Sequence, residues 1–251
     1  YARRIFNFNG GEGHFVAVMQ REGVLAASEI GMDFPRDKKQ NEIYKAFGEF
    51  WKEHFPGNVP ENIQIHALFE YLDVEEKGSF ECDRPLVKDI WQTCAHTFHL
   101  CSREFFLDAI KRDRWVWGGD ARQSFMIANY IFADREICKR TILAMIPKEK
   151  PALHVNSIAD YSLYVLISLL EYYESFGDKE FVRFMWNRAK ALYDFVAGRL
   201  DEETGLLVAR DGDWIFIDWS ELDKDGPIAA EQILLWHTEK CMAKLCEILG
   251  K

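Results

Sequence analysis

Three aspartates stand close together between positions 108 and 120, among arginine and tryptophan residues. The group consists of Asp108, Asp113 and Asp120, with Arg112, Arg114, Trp115 and Trp117 between them. A carboxylate beside a guanidinium group stays ionised, whereas a carboxylate that faces apolar ring surface has a raised pKa. General acid–base chemistry requires this contrast, because one protonated donor works beside ionised acceptors. The residue types therefore indicate acid–base chemistry.

The aromatic and glycine residues of the same segment indicate the kind of ligand. An indole offers a flat apolar surface to the C–H face of a sugar, and carboxylates accept hydrogen bonds from its hydroxyls. Gly118 and Gly119 have no side chain, so the backbone there can approach a ligand closely. We therefore interpret the segment as a carbohydrate site. The same residues are also compatible with surface ion pairs and with an ordinary helix start that has Asp120 in its first turn.

A second segment, residues 207–226, repeats the combination of carboxylates and indoles. It contains Asp211, Asp213, Asp218, Trp214 and Trp219. Its pattern predicts a β-hairpin inserted between helices, and the alternative to a ligand site is a hairpin with an exposed acidic turn. A calcium loop is disfavoured, because Glu221 stands at the first ligand position and Gln232 stands where a bidentate glutamate belongs.

Other reaction classes lack their characteristic motifs. The histidines form no HxxxH or HExxH pair, and we interpret His96 and His99, three residues apart on a predicted helix, as hydrogen-bonding residues. No GxSxG, P-loop or GxGxxG motif is present, which argues against serine nucleophiles and nucleotide binding. The cysteines form no CxxC pair, which favours buried thiols. The sequence thus predicts no cofactor and no metal.

The charge and the apolar pattern bear on possible partners. The chain of 251 residues has a formal net charge of -10, whereas nucleic acids and anionic membranes attract basic surfaces. The longest nearly unbroken apolar run, residues 161–170, is shorter than the roughly 20 residues of a transmembrane helix. We therefore expect no nucleic-acid or membrane partner. The sequence does not indicate an oligomeric state, whether monomer or oligomer.

The elements that position these residues are mostly helices. Helical spacing predicts five helices. The first covers about 83–101, and the second begins after Gly119 and ends at Ile146. The other three cover 159–176, 180–200 and about 227–249. We place Asp83 as the N-cap of the first helix, with Pro85 in its first turn. The helix 159–176 is apolar nearly all round, 180–200 is amphipathic, and Gly177–Asp178 joins them tightly.

An apolar inner helix followed by an amphipathic outer one is typical of stacked helical hairpins. We therefore predict a mainly α fold that forms part of an (α/α)6 toroid. A complete toroid needs about twelve helices, of which the chain supplies about half.

Residues 1–82 have a different pattern. Mixed β-branched and aromatic residues predict strands within 14–28 and 62–76, with a helix at 42–55 between them. We interpret 1–82 as the C-terminal part of a β-sandwich-like domain and 83–251 as the N-terminal half of the helical barrel. The chain begins without methionine, so we expect it to be a piece of a longer protein. Its first residues therefore do not indicate a cellular compartment.

The segment SREFFLDAIKRDRWVWGGDA resembles the start of the catalytic barrel in α-L-rhamnosidases of glycoside hydrolase family 78. In that family a β-sandwich leads into an (α/α)6 barrel through an Asp, an Arg, a catalytic acid, a Trp and a Gly-Asp pair. The GDW sequence at 212–214 matches a further motif of the family. The resemblance extends over most of the chain from about residue 62, and its specific part is Asp108–Asp120.

The resemblance implies a role for each matching residue. Asp113 falls where the family has its general acid, which protonates the glycosidic oxygen. The family commonly has Glu there, so the acid of this chain is shorter by one methylene. Asp108, Arg112 and Asp120 match positions that bind rhamnose hydroxyls or hold the acid.

Trp117 and Trp214 match aromatic walls of the family's sugar subsite. Its general base is a Glu near the far end of the barrel, in a region that this chain does not contain. The resemblance thus implies an inverting exo-glycosidase that releases terminal α-L-rhamnosyl residues from glycosides or polysaccharides, with only the acid half of the machinery here. It also implies that the isolated chain is inactive.

Two other functions stay open at this point. A non-catalytic carbohydrate-binding module would keep the pocket without the chemistry, and it is favoured by the Asp at the acid position and by the missing base. A different (α/α)-barrel glycosidase or lyase would share the fold but act on another substrate.

Overall fold

The computed structural model describes residues 2–8, 11–18, 45, 48–49, 52–53, 72–109, 113–219 and 221–251. The chain divides into two compact units, Tyr1–Glu70 and Tyr71–Lys251. The second unit begins before the helical pattern does, because the extended residues that precede the first helix are bonded to the helices. The backbone amides of Lys77 and Gly78 donate hydrogen bonds to the carbonyl of Ile131 at 2.7 and 2.9 Å.

In the first unit two antiparallel strands form a hairpin, β1 (Ala2–Phe8) and β2 (Gly11–Val18). Their register is irregular between Phe6 and Phe8. β2 contains the first residues of the strand predicted within 14–28. Every position that the structure describes within the predicted helix 42–55 is helical. The assignment of this unit to a β-sandwich stays a prediction.

The described part of the second unit is mainly helical. Its helices are α1 (Pro85–Cys101), α2 (Gly118–Ile131), α3 (Arg135–Met145), α4 (Ala159–Phe176), α5 (Lys179–Ala197) and α6 (Ala229–Leu249), with a short 3₁₀ turn at Val155–Ser157. α4 packs against α2, α3, α5 and α6, and it is buried on nearly all sides. The other helices bury one face each, and this confirms the predicted mainly α fold of helical hairpins.

The turn between α4 and α5 also forms as predicted. Gly177 ends α4 with a φ of 63°, a left-handed conformation that favours glycine. Asp178 caps α5, because its Oδ1 accepts a hydrogen bond from the amide of Phe181 at 3.0 Å. The Lys139 ammonium, whose Nζ lies 2.9 Å from Asp178 Oδ2, holds the pKa of this carboxyl below its usual range.

Two predicted helix boundaries are wrong. The helix predicted from Gly119 to Ile146 is two helices, because the side chain of Asp134 accepts the Ile137 amide at 2.9 Å and caps a new helix. Asp83 is not the cap of α1. The N-cap position is Arg84, which makes no side-chain cap, and Pro85 at the first helical position has no amide hydrogen that needs one.

The β-hairpin predicted within 207–226 is also wrong. The structure has no strand ladder in the described residues there, and Trp214 forms an isolated parallel bridge with Ile158 instead. The Trp214 amide donates to the Ser157 carbonyl at 3.2 Å, and the Ala159 amide donates to the Trp214 carbonyl at 2.9 Å. The segment therefore pairs with the entry to α4 and not with itself. Likewise, residues 72–76 of the predicted strand 62–76 form no strand, and the rest of it lies outside the described residues.

None of the helices in the described ranges is both long and apolar enough to cross a membrane. All six cysteines are free thiols. Cys138 and Cys241 are buried as predicted, whereas Cys82 and Cys94 are exposed.

Candidate active site

A cavity of about 540 Å³ opens at the N-terminal ends of α2 and α4. Its lining residues are Asp108, Asp113, Trp117, Gly119, Asp120, Arg122, Gln123, Ile158, Tyr161, Tyr164, Trp214, Phe216, Ile217, Asp218 and Trp219. Of the residues to which the resemblance assigns a role, all that the structure describes are among them, whereas Trp115, Asp211 and Asp213 of the two candidate segments are not. Arg112, which was predicted to bind a hydroxyl or hold the acid, lies outside the described residues. The two segments that the sequence singled out thus meet in one cavity.

The first aspartate of the cavity is oriented by its own loop. Asp108 Oδ1 accepts a hydrogen bond from the Trp115 amide at 2.9 Å, and the Asp108 amide donates to the Trp115 carbonyl at 3.1 Å. These two bonds bring the ends of the loop together, and Asp113 lies between them with an exposed side chain. Asp113 is therefore open to the cavity that it lines.

The three carboxylates are near enough to interact. The pKa of Asp120 is raised by burial first, and further by the negative charges of Asp108 and Asp113. Its own backbone amide and the Tyr161 hydroxyl lower it by less. The cavity therefore holds a carboxyl whose pKa lies above its usual value, together with further carboxyl groups.

Tyr161 connects the two sides of the cavity, and the sequence did not single it out. Its hydroxyl donates to Asp120 Oδ2 at 3.4 Å. Its ring centroid lies 6.3 Å from that of Trp117 and 6.0 Å from that of Phe216. The signal was its place in the first turn of an apolar helix, because a buried tyrosine needs a partner for its hydroxyl.

Gly118 and Gly119 allow α2 to approach α4 closely, whereas the sequence predicted a close approach of the backbone to a ligand. A Cβ on Gly118 would lie 3.0 Å from the Tyr161 carbonyl oxygen, and a Cβ on Gly119 would lie 2.7 Å from the Tyr161 ring. The glycines therefore allow α2 to contact α4, and this contact places Tyr161 beside Asp120. Gly119 also lines the cavity, so an approach to a ligand there stays a prediction.

Asn156 holds the start of α2 in place. Its Oδ1 accepts the Gly118 amide at 3.0 Å, and its Nδ2 donates to the Val116 carbonyl at 3.1 Å. Trp117, the N-cap residue, provides no side-chain cap of its own. Asn156 has a left-handed backbone (φ 53°), which asparagine tolerates better than most residues. It therefore acts as a cap supplied from a distant part of the chain.

The second segment contributes an aromatic wall, by which we mean Trp214, Phe216 and Trp219. The ring centroids of Phe216 and Trp219 are 5.0 Å apart, and those of Trp214 and Phe216 are 5.6 Å apart. Trp214 is 44% exposed and Trp219 is 78% exposed, so both indoles present surface that a ligand could cover. Trp214 lines the cavity, and its contact with a sugar stays a prediction.

Asp213, one residue before the aromatic wall, points away from the cavity. Its carboxylate accepts hydrogen bonds from Arg199 Nη2 at 2.9 Å and Nε at 3.2 Å, and from the Arg210 amide at 3.1 Å. Burial opposes ionisation of Asp213, but these donors and the charge of His154 leave its pKa below the usual value. Its side chain is 3% exposed. Asp213 therefore anchors the scaffold.

Ser162, His154 and Asp213 contain the groups of a hydrolytic triad, but they are sealed from solvent. His154 Nδ1 lies 3.0 Å from Ser162 Oγ, and its Nε2 lies 3.8 Å from Asp213 Oδ2. Ser162 is completely buried and His154 is 4% exposed. Burial also lowers the pKa of His154. No substrate can reach the serine, so these residues belong to the packed interior.

Two further ionisable groups lie near the cavity. Arg122 lines it, binds Glu171 Oε1 at 2.6 Å, and places its guanidinium 5.6 Å from the centroid of the Tyr164 ring. Glu231, in the first turn of α6, is 1% exposed and its carboxyl has no hydrogen-bond partner among the described residues. Burial first and the Asp160 carboxyl second raise the pKa of Glu231 to about 8.

The arrangement can hold a polar ring compound between carboxylates and indoles and can donate a proton to it. No group of three or more potential ligands suitable for a metal ion is found among the residues that the structure describes.

Comparison with known proteins identifies related domains. The family model of the bacterial α-L-rhamnosidase six-hairpin glycosidase domain matches residues 75–251. A family 78 rhamnosidase of a Bacillus species is 22% identical, with a TM-score of 0.63 over 70% of this chain and 19% of its own. A rhamnosidase from Klebsiella oxytoca, solved with rhamnose bound, is also 22% identical, with a TM-score of 0.57 over 76% of this chain and 40% of its own. A comparison with curated proteins finds no match.

The chain thus spans 19% of one of these structures and 40% of the other. At 22% identity, these two structures establish the fold of the helical unit alone, which is part of an (α/α)6 toroid.

Proposed function

The chain belongs to the family of bacterial α-L-rhamnosidase six-hairpin glycosidase domains, and on that premise we propose that its cavity binds a terminal α-L-rhamnosyl residue of a glycoside or polysaccharide. We also propose that hydrolysis is exo-acting and inverts the anomeric carbon, with Asp113 as general acid. The observation that carries the proposal is the meeting of three aspartates with Trp117 and Trp214 in one cavity.

The proposed reaction begins with a protonated Asp113. Its carboxyl proton passes to the glycosidic oxygen while the bond between the anomeric carbon and that oxygen breaks. A water molecule attacks the anomeric carbon from the opposite face, and a general base takes its proton. In inverting enzymes the acid and the base stand roughly 6.5–9.5 Å apart, which leaves room for this water.

The remaining residues of the cavity would bind and orient the sugar. The carboxylates of Asp108 and Asp120 accept hydrogen bonds from its hydroxyls, and Arg112 takes the binding or acid-holding role that the resemblance implies. Trp117 and Trp214 cover its apolar face. Tyr161 donates its hydroxyl to Asp120 and so fixes the direction in which that carboxyl is presented.

The first test removes the acid from the intact protein that contains this chain. Asp113→Asn keeps the shape of the side chain but cannot donate a carboxyl proton, and general acids contribute roughly 10²–10⁴-fold to the rate. We expect kcat on an alkyl α-L-rhamnoside to fall by about 10³-fold, with KM nearly unchanged. On 2,4-dinitrophenyl α-L-rhamnoside the loss should be far smaller, because that leaving group departs without protonation.

Asp211→Asn is the matched control, since Asp211 is exposed and does not line the cavity. It should leave kcat on both substrates unchanged. Equal losses on both substrates for Asp113→Asn would contradict its role as the acid. A parent protein that binds L-rhamnose but hydrolyses no glycoside would instead be a carbohydrate-binding module, and turnover of other aryl glycosides alone would indicate a different glycosidase.

We place the general base outside residues 1–251, as the resemblance implies. The isolated chain should therefore bind the sugar weakly and hydrolyse nothing. Turnover of an aryl rhamnoside by the isolated 251 residues would overturn this part of the proposal.

A further inference from the structure

The aromatic wall is carried by an irregular segment, residues 214–219, that forms no ladder with itself. Its first residue is bound to the entry of α4, because Trp214 exchanges backbone hydrogen bonds with Ser157 and Ala159. Beyond Trp214 no further backbone pairing with α4 is present among the described residues. Side chains must therefore hold the rest of the segment.

Asp160 holds the middle of the segment. It lies in the first turn of α4, is 1% exposed and does not line the cavity. Its Oδ1 accepts the Phe216 amide at 3.0 Å, and its Oδ2 accepts the Ile217 amide at 3.0 Å. Both oxygens of one buried carboxyl group are therefore used on two consecutive amides of the cavity wall.

The conformation that Asp160 holds is a strained one. Ile217 has a φ of 52°, a region that is unfavourable for a β-branched residue. Such a conformation persists only when the surroundings over-determine it. The two hydrogen bonds to Asp160 provide that restraint, and the bend turns the segment so that Trp219 returns to Phe216.

Lys224 holds the same segment from the other side. Its Nζ donates to the Phe216 carbonyl at 2.6 Å and to the Asp218 carbonyl at 2.9 Å. It also lies 5.7 Å from the centroid of the Phe216 ring. Asp160 therefore binds the amides of this segment and Lys224 binds its carbonyls, so residues 216–218 are held through both kinds of backbone group.

We propose that Asp160 and Lys224 are positioning residues that lock the aromatic wall into its sugar-binding shape before the ligand arrives. The sugar-binding part of this inference rests on the proposed function, whereas the clamp itself rests on the contacts alone. A wall that is already ordered saves the entropy of ordering it on binding, so loss of the clamp should weaken affinity although neither residue touches the sugar.

The test follows the indoles directly. The intact protein is labelled with 5-fluorotryptophan, and Trp214→Phe and Trp219→Phe assign the two fluorine resonances. In Lys224→Met we expect these two resonances to shift or broaden while those of the other tryptophans stay in place. Lys148→Met, which changes an exposed lysine outside the cavity, is the control and should leave the spectrum unchanged.

The second readout is L-rhamnose binding by calorimetry. Lys224→Met should weaken it by about tenfold at an unchanged stoichiometry, and Lys224→Arg, which keeps donors for both carbonyls, should restore most of it. Asp160→Asn should weaken it more, because its amide would direct an N–H at a backbone N–H. If Asp160→Asn does not fold, the Lys224 variants decide.

Unchanged fluorine resonances in Lys224→Met would overturn the clamp, and so would affinity that stays at the parent value although the resonances move. If the parent protein binds no L-rhamnose, the proposed function fails, and the clamp is then judged by the fluorine spectra alone.

Discussion

Two segments of the molecule, 108–120 and 211–219, both combine aspartates with tryptophans, and the fold employs them differently. In the first segment Asp108, Asp113 and Asp120 all line the cavity. In the second segment Asp213 is turned into the interior, where Arg199 binds it through two nitrogens. The second segment contributes mainly its indoles and Phe216 to the cavity wall, with Asp218 as its one aspartate there.

The difference shows that the partner of a carboxylate decides its use. Asp213 accepts hydrogen bonds from a guanidinium group and from the Arg210 amide, and these donors favour its ionised form in the interior. The pKa of Asp120 is raised, by burial first and then by the charges of Asp108 and Asp113. The first arrangement stabilises the fold. In the second, carboxylates repel one another beside a cavity, where hydrogen bonds from a ligand can offset the repulsion.

The largest expected effect comes from breaking the scaffold carboxylate. Asp213→Asn leaves the Arg199 guanidinium without its counter-charge in a largely buried place, and removal of one partner of a buried pair costs about 3–5 kcal/mol. We expect the free energy of unfolding to fall by about 4 kcal/mol. Urea denaturation at pH 7 measures this.

The neighbouring exposed residue provides the control for that change. Asp211→Asn should alter the free energy of unfolding by less than about 0.5 kcal/mol, as exposed substitutions usually do. If the two variants are equally stable, Asp213 is not the anchor that its contacts indicate.

The next effect comes from Glu231, a buried carboxyl that lacks the cation that Asp213 has. Its pKa is about 8 in the folded protein against 4.5 in the unfolded chain, so the folded state binds the proton more tightly. Its contribution to stability is complete below about pH 4.5 and is lost as the pH rises through about 8. For Asp213 the direction is opposite, because its pKa is lowered and its contribution is lost as the pH falls.

Glu231→Gln keeps the shape of the neutral side chain and removes the titration. Between pH 5 and pH 9 the parent should lose on the order of 3 kcal/mol relative to the variant, since one pKa unit is worth about 1.4 kcal/mol and relaxation around the charge reduces the total. Denaturation of both proteins at the two pH values gives the difference. A difference that does not change with pH would show that Glu231 is as ionised in the folded protein as in the unfolded chain, which would contradict its raised pKa.

The sequence predicted the local features well and the long-range ones poorly. The helix at 159–176 and the Gly177–Asp178 turn could be predicted, because apolar periodicity and caps are properties of neighbouring residues. The clustering of Asp108, Asp113 and Asp120 was visible for the same reason. The roles of Tyr161 and Asn156 were not, because each depends on a contact with α2 or its start that is made about 40 residues away along the chain.

The error at 207–226 has the same physical cause. The alternating pattern there is compatible with a hairpin, but the hydrogen bonds of Trp214 go to Ser157 and Ala159, and those of the next amides go to Asp160. Pairing partners so far apart in sequence leave no local signal. The composition of the segment therefore marked residues that line the cavity, whereas its alternating pattern predicted the wrong local structure.

The smallest expected effect on stability is also the one that tests the comparison most directly. Asp120→Asn removes a carboxyl whose pKa is raised by burial and by Asp108 and Asp113, so it should relieve repulsion instead of breaking a pair. Solvent in the open cavity screens these charges, so we expect a gain of only a few tenths of a kcal/mol at pH 7. The gain should vanish as the pH falls and the parent carboxyl becomes protonated. L-rhamnose affinity should fall at the same time, because the amide replaces an acceptor for a sugar hydroxyl. A loss of stability as large as that of Asp213→Asn would mean that both segments serve the scaffold.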